Sequence, residues 1–285
     1  MAGEGARPTV SRRREVSHAS ARSLLMTVLG EFALPLAQPV WTSTLLQVLA
    51  LFEIEQKAAR QALARMAGEG WLASERVGRR VRWSLTKPGR TLLTEGAARI
   101  YAFGREREPW DERWLILLVS VPESQRDLRH RVRTRLNWAG FGSPAPGIWV
   151  SPDTGRQAEA QRIVSDLDVG SPAISFLATC GDIGDQDAMV GRSWDLRALE
   201  ERYENFVDEF AGVDPSGERA VLQAQIRLVH EWRRFPFLDP QLPVALLPAS
   251  WSGTKAAEVF HGKHAEWRGT AQQCWEDLAS AEPPA

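Results

Sequence analysis

Apolar residues in the first third of the chain recur at helical spacing in three successive segments. The first segment, 21–34, is stopped by Pro35, because proline cannot continue a helix without losing a hydrogen bond. The second, 42–52, starts with hydroxyl residues suited to cap a helix, and the third, 55–70, ends at glycines. The buried face of the third helix is predicted to consist of Ala59, Ala62, Leu63 and Met66.

Residues 71 to 86 change to the alternation of polar and apolar positions that is typical of β-strands. Val81, Trp83 and Leu85 are expected on one side of the second strand, and we place the turn at Val77–Gly78. The opposite side of this strand would carry Arg80, Arg82 and Ser84. The pattern therefore predicts a hairpin with an apolar inner face and an arginine-rich outer face.

Three helices followed by a two-stranded ribbon form the element order of a winged helix-turn-helix domain, in which the ribbon is the wing. A further helix over 87–103 closes this domain, for which we predict the bounds 20–105. Some winged helices bind DNA, whereas others are protein-interaction adaptors, and a fold does not fix a function. The order of the elements alone leaves both functions open.

The outer face of the third predicted helix favours DNA. Lys57, Arg60, Gln61 and Ala64 recur at three- and four-residue intervals and share one side, with Gln56 beside them. Long cationic and amide side chains reach phosphates and base edges, and small neighbours let the helix approach a major groove. For this helix alone, an ordinary solvated face is the alternative. Because basic residues also mark the hairpin, we predict DNA binding. The predicted contacts are Thr42, Ser43, Gln56, Lys57, Arg60, Gln61, Arg79, Arg80 and Arg82.

Residues 110–192 have a different pattern, in which strands and helices alternate as in a ferredoxin-like domain. The predicted elements are a strand at 113–122, a helix at 123–136, a strand at 147–150, a helix at 155–168 and a strand at 173–180. Leu128, Val132 and Leu136 are expected on the inner face of the first helix. An acidic stretch over 182–192 is interpreted as a solvated turn.

Small nucleases share the ferredoxin-like fold, so a metal-dependent nuclease is an alternative function. Such an enzyme needs carboxylates at a strand end to hold a cation. The nearest acid after the first strand is Glu123, which we assign to the start of the helix. The sequence contains no carboxylate cluster or nucleophile motif there, and we expect no catalytic residues, no metal and no cofactor.

The last part of the chain, 193–280, is predicted to be helical, with helices over 194–210, 217–235 and about 254–280. A proline-rich but apolar stretch between the last two helices is expected to be packed. The overall fold class is therefore α+β. His230 begins an incomplete zinc-protease motif, and His261 with His264 has no completing ligand, so neither predicts a metal site.

Charge is distributed unevenly along the 285 residues, whose formal net charge is −1. Residues 1–105 carry a net charge of +8 and the remainder −9, which indicates that the N-terminal third meets a polyanion. Residues 1–19, with Arg12, Arg13 and Arg14, are interpreted as a flexible basic arm or a simple disordered tail. No signal peptide or membrane span is evident, and two distant cysteines are typical of free thiols, so we expect a cytoplasmic protein.

Several long motifs resemble the phenylacetate-degradation repressor (PaaX) family across residues 20 to 270. They are SLLMTVLGEF, VWTSTLLQVLALF, AARQALARMAGEGWL, RVGRRVRWSLT, GRTLLTEG and LVHEWRRFPFLDPQLPVALLPASW. The resemblance implies a winged-helix domain, a ferredoxin-like domain similar to the small nuclease subunit of CRISPR adaptation, and a helical C-terminal domain. It also implies a dimeric repressor of an aromatic-acid catabolic operon, released from a double-stranded DNA operator by an aryl-acyl-CoA such as phenylacetyl-CoA. The chain departs from the family at Glu53, where glycine is usual and a positive φ would strain glutamate.

An acyl-CoA effector needs cations for its phosphates and an apolar slot for its acyl group. The stretch from His230 to Phe235 offers both, as do Arg192 and Trp194 more weakly. The alternative is a helix that packs its aromatic residues and pairs its cations with nearby acids. The candidate effector residues are Arg192, Trp194, His230, Arg233 and Arg234.

Overall fold

A computed structural model of the protein describes residues 20–105, 109–170 and 173–280. The predicted basic arm with Arg12, Arg13 and Arg14 lies outside these residues. These described residues divide into two compact units, one formed by 20–94 together with 275–280 and the other by those between 95 and 274. The predicted α+β class is confirmed.

The N-terminal helices agree in position with the predicted segments, except for one short additional helix after the first. They are α1 (Ala21–Val28), α2 (Leu34–Leu36), α3 (Thr42–Ala50), α4 (Gln56–Gly68) and α5 (Lys87–Ala102). Ser20 caps α1 by accepting a hydrogen bond from the Ser23 amide. Pro35 does not stop the first segment as predicted: a π-helical turn precedes it, and the helix ends instead at Ala37, in the left-handed region at φ 53°. Proline is tolerated here because it lies in the first turn of the short helix α2.

The core of this unit is formed by one face each of α1, α3 and α4. Ala59, Ala62, Leu63 and Met66 are buried, which confirms the predicted inner face of α4. Residues 275–278 complete the same core: the Trp275 ring stacks on Phe32 with centroids 5.3 Å apart. The Thr44 hydroxyl donates to the Leu278 carbonyl at 3.2 Å. Residues more than 230 positions apart therefore share one apolar interior.

A three-stranded antiparallel sheet lies beside these helices, with the order β1–β3–β2. Its strands are β1 (Val40–Trp41), β2 (Leu72–Val77) and β3 (Arg80–Leu85). The hairpin is as predicted except for its turn, which lies one residue later, at Gly78 and Arg79, because Val77 pairs with Arg80. Gly78 takes φ 61°, a conformation that glycine adopts without strain. The short strand β1 was not predicted, because two residues carry no periodicity.

The second unit contains a four-stranded antiparallel sheet with the order β5–β6–β4–β7. The strands are β4 (Arg113–Leu118), β5 (Gly142–Ala145), β6 (Ile148–Ser151) and β7 (Ile174–Thr179). Helices α6 (Arg126–Trp138) and α7 (Gln157–Asp166) connect them in the ferredoxin-like order. Val132 and Leu136 are buried and Leu128 is partly buried against the same core, as predicted. Strand, helix, hairpin, helix and strand therefore follow the predicted sequence of elements.

The stretch predicted as an acidic turn is in part a helix, so that prediction is wrong. Residues Gln186–Ser193 form α8, which the Asp185 side chain caps by accepting from the Asp187 amide at 2.9 Å. Val190 on this helix is buried against the other face of the sheet, together with Trp114. The acids that gave the loop its polar character thus start the helix, where its dipole favours negative charge.

The remaining helices enclose a core rich in aromatic side chains. They are α9 (Leu196–Phe210), α10 (Glu218–Trp232), α11 (Phe235–Leu238) and α12 (Gly253–Ser280). Trp232 and Phe260 are fully buried and stack at 4.6 Å. The proline-rich connection is packed in part, since Leu242 and Leu246 are buried whereas Phe237 and Val244 are exposed. No helix among the described residues is long and apolar enough to cross a membrane.

Candidate nucleic-acid interface

An open groove of about 640 Å³ lies between α3, α4 and the β2–β3 hairpin in the first unit. Its lining is mixed: the apolar part is Trp41, Leu46, Ala50, Leu63, Val81 and Trp83, and polar side chains supply the rest. Six of the nine predicted DNA contacts line this groove: Thr42, Ser43, Gln56, Arg60, Arg79 and Arg80. Residues that are 38 positions apart in the chain, from Thr42 to Arg80, thus meet around one concave surface.

The outer face of α4 is exposed where the inner face is buried. Gln56, Lys57, Arg60 and Gln61 are all exposed, and so is Ala64. The small residues Ala59 and Ala62 on the opposite side keep α4 close to its neighbours in the core. The helix therefore presents one cationic and amide-bearing side to solvent, which is the arrangement a helix needs to enter a major groove.

The two hydroxyl residues at the start of α3 have different surroundings. The Thr42 hydroxyl donates to the Val81 carbonyl and accepts from the Trp83 indole, both at 2.9 Å. A hydroxyl has only one proton, so Thr42 in this arrangement holds β3 against α3 and has no proton for a phosphate. Ser43, which is half-buried at the groove, is the better phosphate donor of the two.

The three arginines of the hairpin are also unequal. Arg79 is in the turn and exposed, with no ion pair within the described ranges. Arg82 faces Glu75 across the ladder and binds both carboxylate oxygens, at 2.8 and 2.9 Å. These charge-assisted bonds lower the pKa of the Glu75 carboxyl and raise that of Arg82. Arg82 therefore has a competing partner that a phosphate must displace.

Glu75 was missed by the reasoning from sequence. The two-residue turn fixes the register, and counting back from the Val77–Arg80 pair places Glu75 opposite Arg82. Placing the turn one residue too early shifts this pairing and hides the partner. Opposite charges directly across an antiparallel ladder are the signal that would have identified it.

The turn between α3 and α4 contains Glu53 in the left-handed region, at φ 59°. In this conformation glutamate has a steric cost that glycine avoids. The Glu53 amide donates to the Ala50 carbonyl at 3.1 Å, and the Ile54 amide to Leu49 at 3.3 Å, so the turn is closed by backbone bonds. The conformation that would strain a glutamate here, which the departure from the family's glycine raised, is therefore present.

The candidate effector residues near the end of α10 lie at very different depths. His230 is buried, and burial, followed by the charges of Arg233 and Arg234, lowers the pKa of its imidazole to about 4. Arg233 is half-buried, and burial also lowers its pKa. Arg234 is exposed and pairs with Glu231 at 3.1 Å. Between them, Trp232 is fully buried and donates to the Ile100 carbonyl at 3.2 Å.

The second pair of effector candidates lies at the end of α8. Arg192 is exposed, whereas Trp194 is half-buried with its ring 6.4 Å from that of Trp114. The Trp194 indole nitrogen is buried and makes no hydrogen bond within the described part of the chain. A Cβ at Gly142 would lie 2.5 Å from the Trp194 ring, so glycine is needed for this ring to pack.

The histidine pair on α12 takes part in packing. His261 Nε2 lies 3.1 Å from the Phe103 carbonyl oxygen, and the His264 ring is 5.1 Å from that of Tyr101. Among residues 20–105, 109–170 and 173–280, no group of three or more histidines, cysteines or acids is arranged to hold a metal.

Three family models match almost the whole chain. They describe a PaaX-like protein over residues 20–89, the PaaX protein central Cas2-like domain over 107–190 and the PaaX-like protein C-terminal domain over 194–277. The chain is 30% identical over 252 residues to the transcriptional repressor PaaX of Escherichia coli (strain K12), covering 84% of this chain and 78% of the relative.

A solved structure also resembles this chain. It is the uncharacterized protein Rv0674 from Mycobacterium tuberculosis, with a TM-score of 0.61 and 23% sequence identity. The match covers 91% of this chain and 99% of that one. At this identity the likeness concerns the fold alone.

Proposed function

Because the chain belongs to the PaaX family, we propose that it is a DNA-binding transcriptional repressor of an aromatic-acid, phenylacetate-type catabolic operon. The E. coli relative is named as a transcriptional repressor, and a member of such a family is a regulator, not an enzyme. The repressor acts in the cytoplasm, where its operator is. The metal-dependent nuclease and the protein-interaction adaptor gain no support from the site described above.

The observation that carries this proposal is the groove bounded by α4 and the hairpin. Gln56, Lys57, Arg60 and Gln61 stand on one exposed face of a helix whose other face is packed, so the helix enters a major groove as a rigid body. Ser43 and Arg79 fix the register on phosphates on either side. Thr42 holds the hairpin in position, and Arg80 and Arg82 extend the cationic surface.

The repressor acts as a homodimer on a palindromic operator, and the edge strand β7 supports this part of the proposal. Ile174, Phe176 and Leu177 are 57, 51 and 49% exposed, on both faces of a strand that has no charged residue. Natural edge strands usually carry charges that prevent pairing. Two copies of this strand pair antiparallel without any like-charge contact, as a twofold interface requires.

Release from the operator follows binding of an aryl-acyl-CoA such as phenylacetyl-CoA, which favours the conformation that does not bind DNA. Arg192 and Arg234 are exposed and are the stronger candidates for its phosphates, with Trp194 beside the former. His230 and Arg233 are weaker candidates, because neither is fully accessible and the pKa of His230 keeps it neutral near pH 7. The Arg192→Ala and Arg234→Ala variants test this assignment: unchanged inducer affinity in both would exclude it.

A mobility shift on the DNA upstream of the protein's own gene tests the function. Salt is fixed, since ionic strength alone changes such affinities by orders of magnitude. We expect specific binding that phenylacetyl-CoA releases and free phenylacetate does not. Arg197→Ala, at an exposed position on α9, is the control for charge removal. Absence of specific binding would overturn the proposal and favour the adaptor.

A further inference from the structure

Helix α6 in the second unit presents a second cationic surface. Its thirteen residues include five arginines and a single aspartate. Arg126, Arg129, His130 and Arg133 recur at three- and four-residue intervals, share one side and are all exposed. We call these four residues the α6 stripe. Val132 and Leu136 on the opposite side are buried, so packing fixes the direction in which the stripe faces.

We propose that the α6 stripe binds the phosphate backbone of duplex DNA that flanks the operator, as a second contact besides α4 and the hairpin. The inference rests on the proposed function. The surrounding sequence makes the stripe unusual: residues 106–285 carry a net charge of −9, yet one helix concentrates five arginines. The net negative charge already provides for solubility, so solubility does not explain five arginines on one helix.

Ion pairing within the chain leaves most of this charge uncompensated. Arg135, outside the stripe, is paired with Asp166 at 2.6 Å. Arg129 lies 3.9 Å from the Glu123 carboxylate, which is 97% exposed, and donates to the Glu123 carbonyl at 3.0 Å. Arg126 and Arg133 form no ion pair with any residue that the structure describes. An exposed pair at this distance contributes little, so the arginines remain available to an external anion.

The shape of the surface favours a duplex over the acyl-CoA effector. A depression of about 400 Å³ at the stripe is lined by Glu123 and the four stripe residues only. No apolar side chain lines it, so an aryl-acyl group has no slot there. Arg126 and Arg133 are separated by seven residues, or roughly 10 Å along the axis. One DNA strand presents a phosphate about every 3.4 Å, so the stripe matches two or three of them.

The test uses the full-length protein and two duplexes, one limited to the operator and one extended by about two helical turns on each side. The affinities of the wild type and of the triple variant R126A/R129A/R133A are measured by fluorescence anisotropy as a function of salt. We expect the variant to bind the extended duplex at least tenfold more weakly. The slope of log K against log salt should decrease by about 2 to 3, and discrimination against a scrambled operator should not change.

A matched control removes the same charge elsewhere. The control variant R162A/R197A/R219A loses three exposed arginines of the same unit, and we expect it to keep the wild-type slope and affinity within about threefold. A second variant, R126K/R129K/R133K, keeps the charge and should keep the slope, which separates loss of charge from loss of folding.

Four outcomes separate the inference from the proposed function. Specific binding by the triple variant with the wild-type slope would overturn the inference alone. If the triple variant keeps the wild-type slope but is no longer released by phenylacetyl-CoA, the stripe belongs to the effector site, and the inference is also overturned. Wild-type binding that is not specific, but that weakens in the triple variant, would support the stripe and overturn the repressor. No binding by either protein would overturn both.

Discussion

Helix α4 and the end of α10 are similar in composition but differ in which of their side chains are buried. Both combine cations with other large side chains, and both were predicted to bind a ligand. In α4, Lys57 and Arg60 point to solvent while the alanines of the opposite face pack. At the end of α10, Trp232 and His230 are themselves part of the interior, and Arg234 is paired with Glu231.

The difference shows that cations indicate a binding surface only when a separate set of residues supplies the packing. In α4, small and aliphatic residues hold the helix, so the long polar side chains are left for a ligand. Near Trp232, the two arginines lie between Trp232 and Phe235 in the chain, so the same short segment must pack and carry charge. Four predictions test this contrast, from the largest expected effect to the smallest.

Replacement of the buried aromatic at the end of α10 should have the largest effect. Trp232→Ala removes a fully buried side chain that stacks on Phe260, and we expect it to decrease the free energy of unfolding by about 3–5 kcal/mol. Denaturant unfolding monitored by circular dichroism measures this. The exposed neighbour Arg234→Ala is the control and should change stability little. A stable Trp232→Ala protein that fails to bind the effector would instead assign the Trp232 ring to the effector site.

Acid should destabilise the protein through His230. Its pKa is lowered from 6.5 to about 4, so the unfolded chain binds a proton that the folded chain does not. The neutral imidazole contributes its whole share to the free energy of unfolding above about pH 6.5. This contribution decreases by about 3 kcal/mol as the pH falls from about 6.5 towards 4.

Urea unfolding at about pH 7 and about pH 4 checks this pH dependence. His230→Gln has no proton to gain, so it should lose correspondingly less stability over the same interval. Equal losses in both proteins would show that His230 is not responsible.

Removal of cations from α4 should affect DNA binding and leave stability unchanged. Because Lys57 and Arg60 are exposed, K57A/R60A should melt like the wild type. Its operator affinity should decrease roughly 10- to 100-fold, since contacts of this kind are worth about 1–3 kcal/mol. Anisotropy titration at fixed salt measures the change, with Arg197→Ala as control. A loss of affinity that follows a loss of helicity would refute the contrast with α10.

The smallest effect is expected at the turn that joins the two helices. Glu53→Gly removes the strain of a left-handed non-glycine residue, which is worth about 1–2 kcal/mol of stability. The greater freedom of glycine in the unfolded chain offsets about 0.5–1 kcal/mol of this gain. We expect a gain of about 1 kcal/mol in stability and no loss of operator affinity, measured by denaturant unfolding and titration. Glu53→Ala, which keeps the steric conflict, should give no such gain.

Most helices were predictable because their apolar residues follow a single period. Ala59, Ala62, Leu63 and Met66 define the inner face of α4 in the sequence, and the structure buries all four. The hairpin was predicted from its alternation, but its turn was misplaced by one residue, and Glu75 opposite Arg82 was therefore missed. Helix α8 was missed because Asp185, which caps it, was interpreted as part of a solvated loop.

The sequence by itself determined the element order apart from the short elements β1, α2 and α8, the α+β class, the two faces of α4 and the family, since each of these depends on local periodicity or on continuous motifs. Only the tertiary structure decided which polar groups are already occupied. The proton of Thr42 is bound to the Val81 carbonyl, Arg82 is bound to Glu75, and Trp275 lies on Phe32. Each of these contacts joins residues that are distant in the chain or depends on a strand register that a one-residue error in the turn shifts, so local periodicity alone does not determine them.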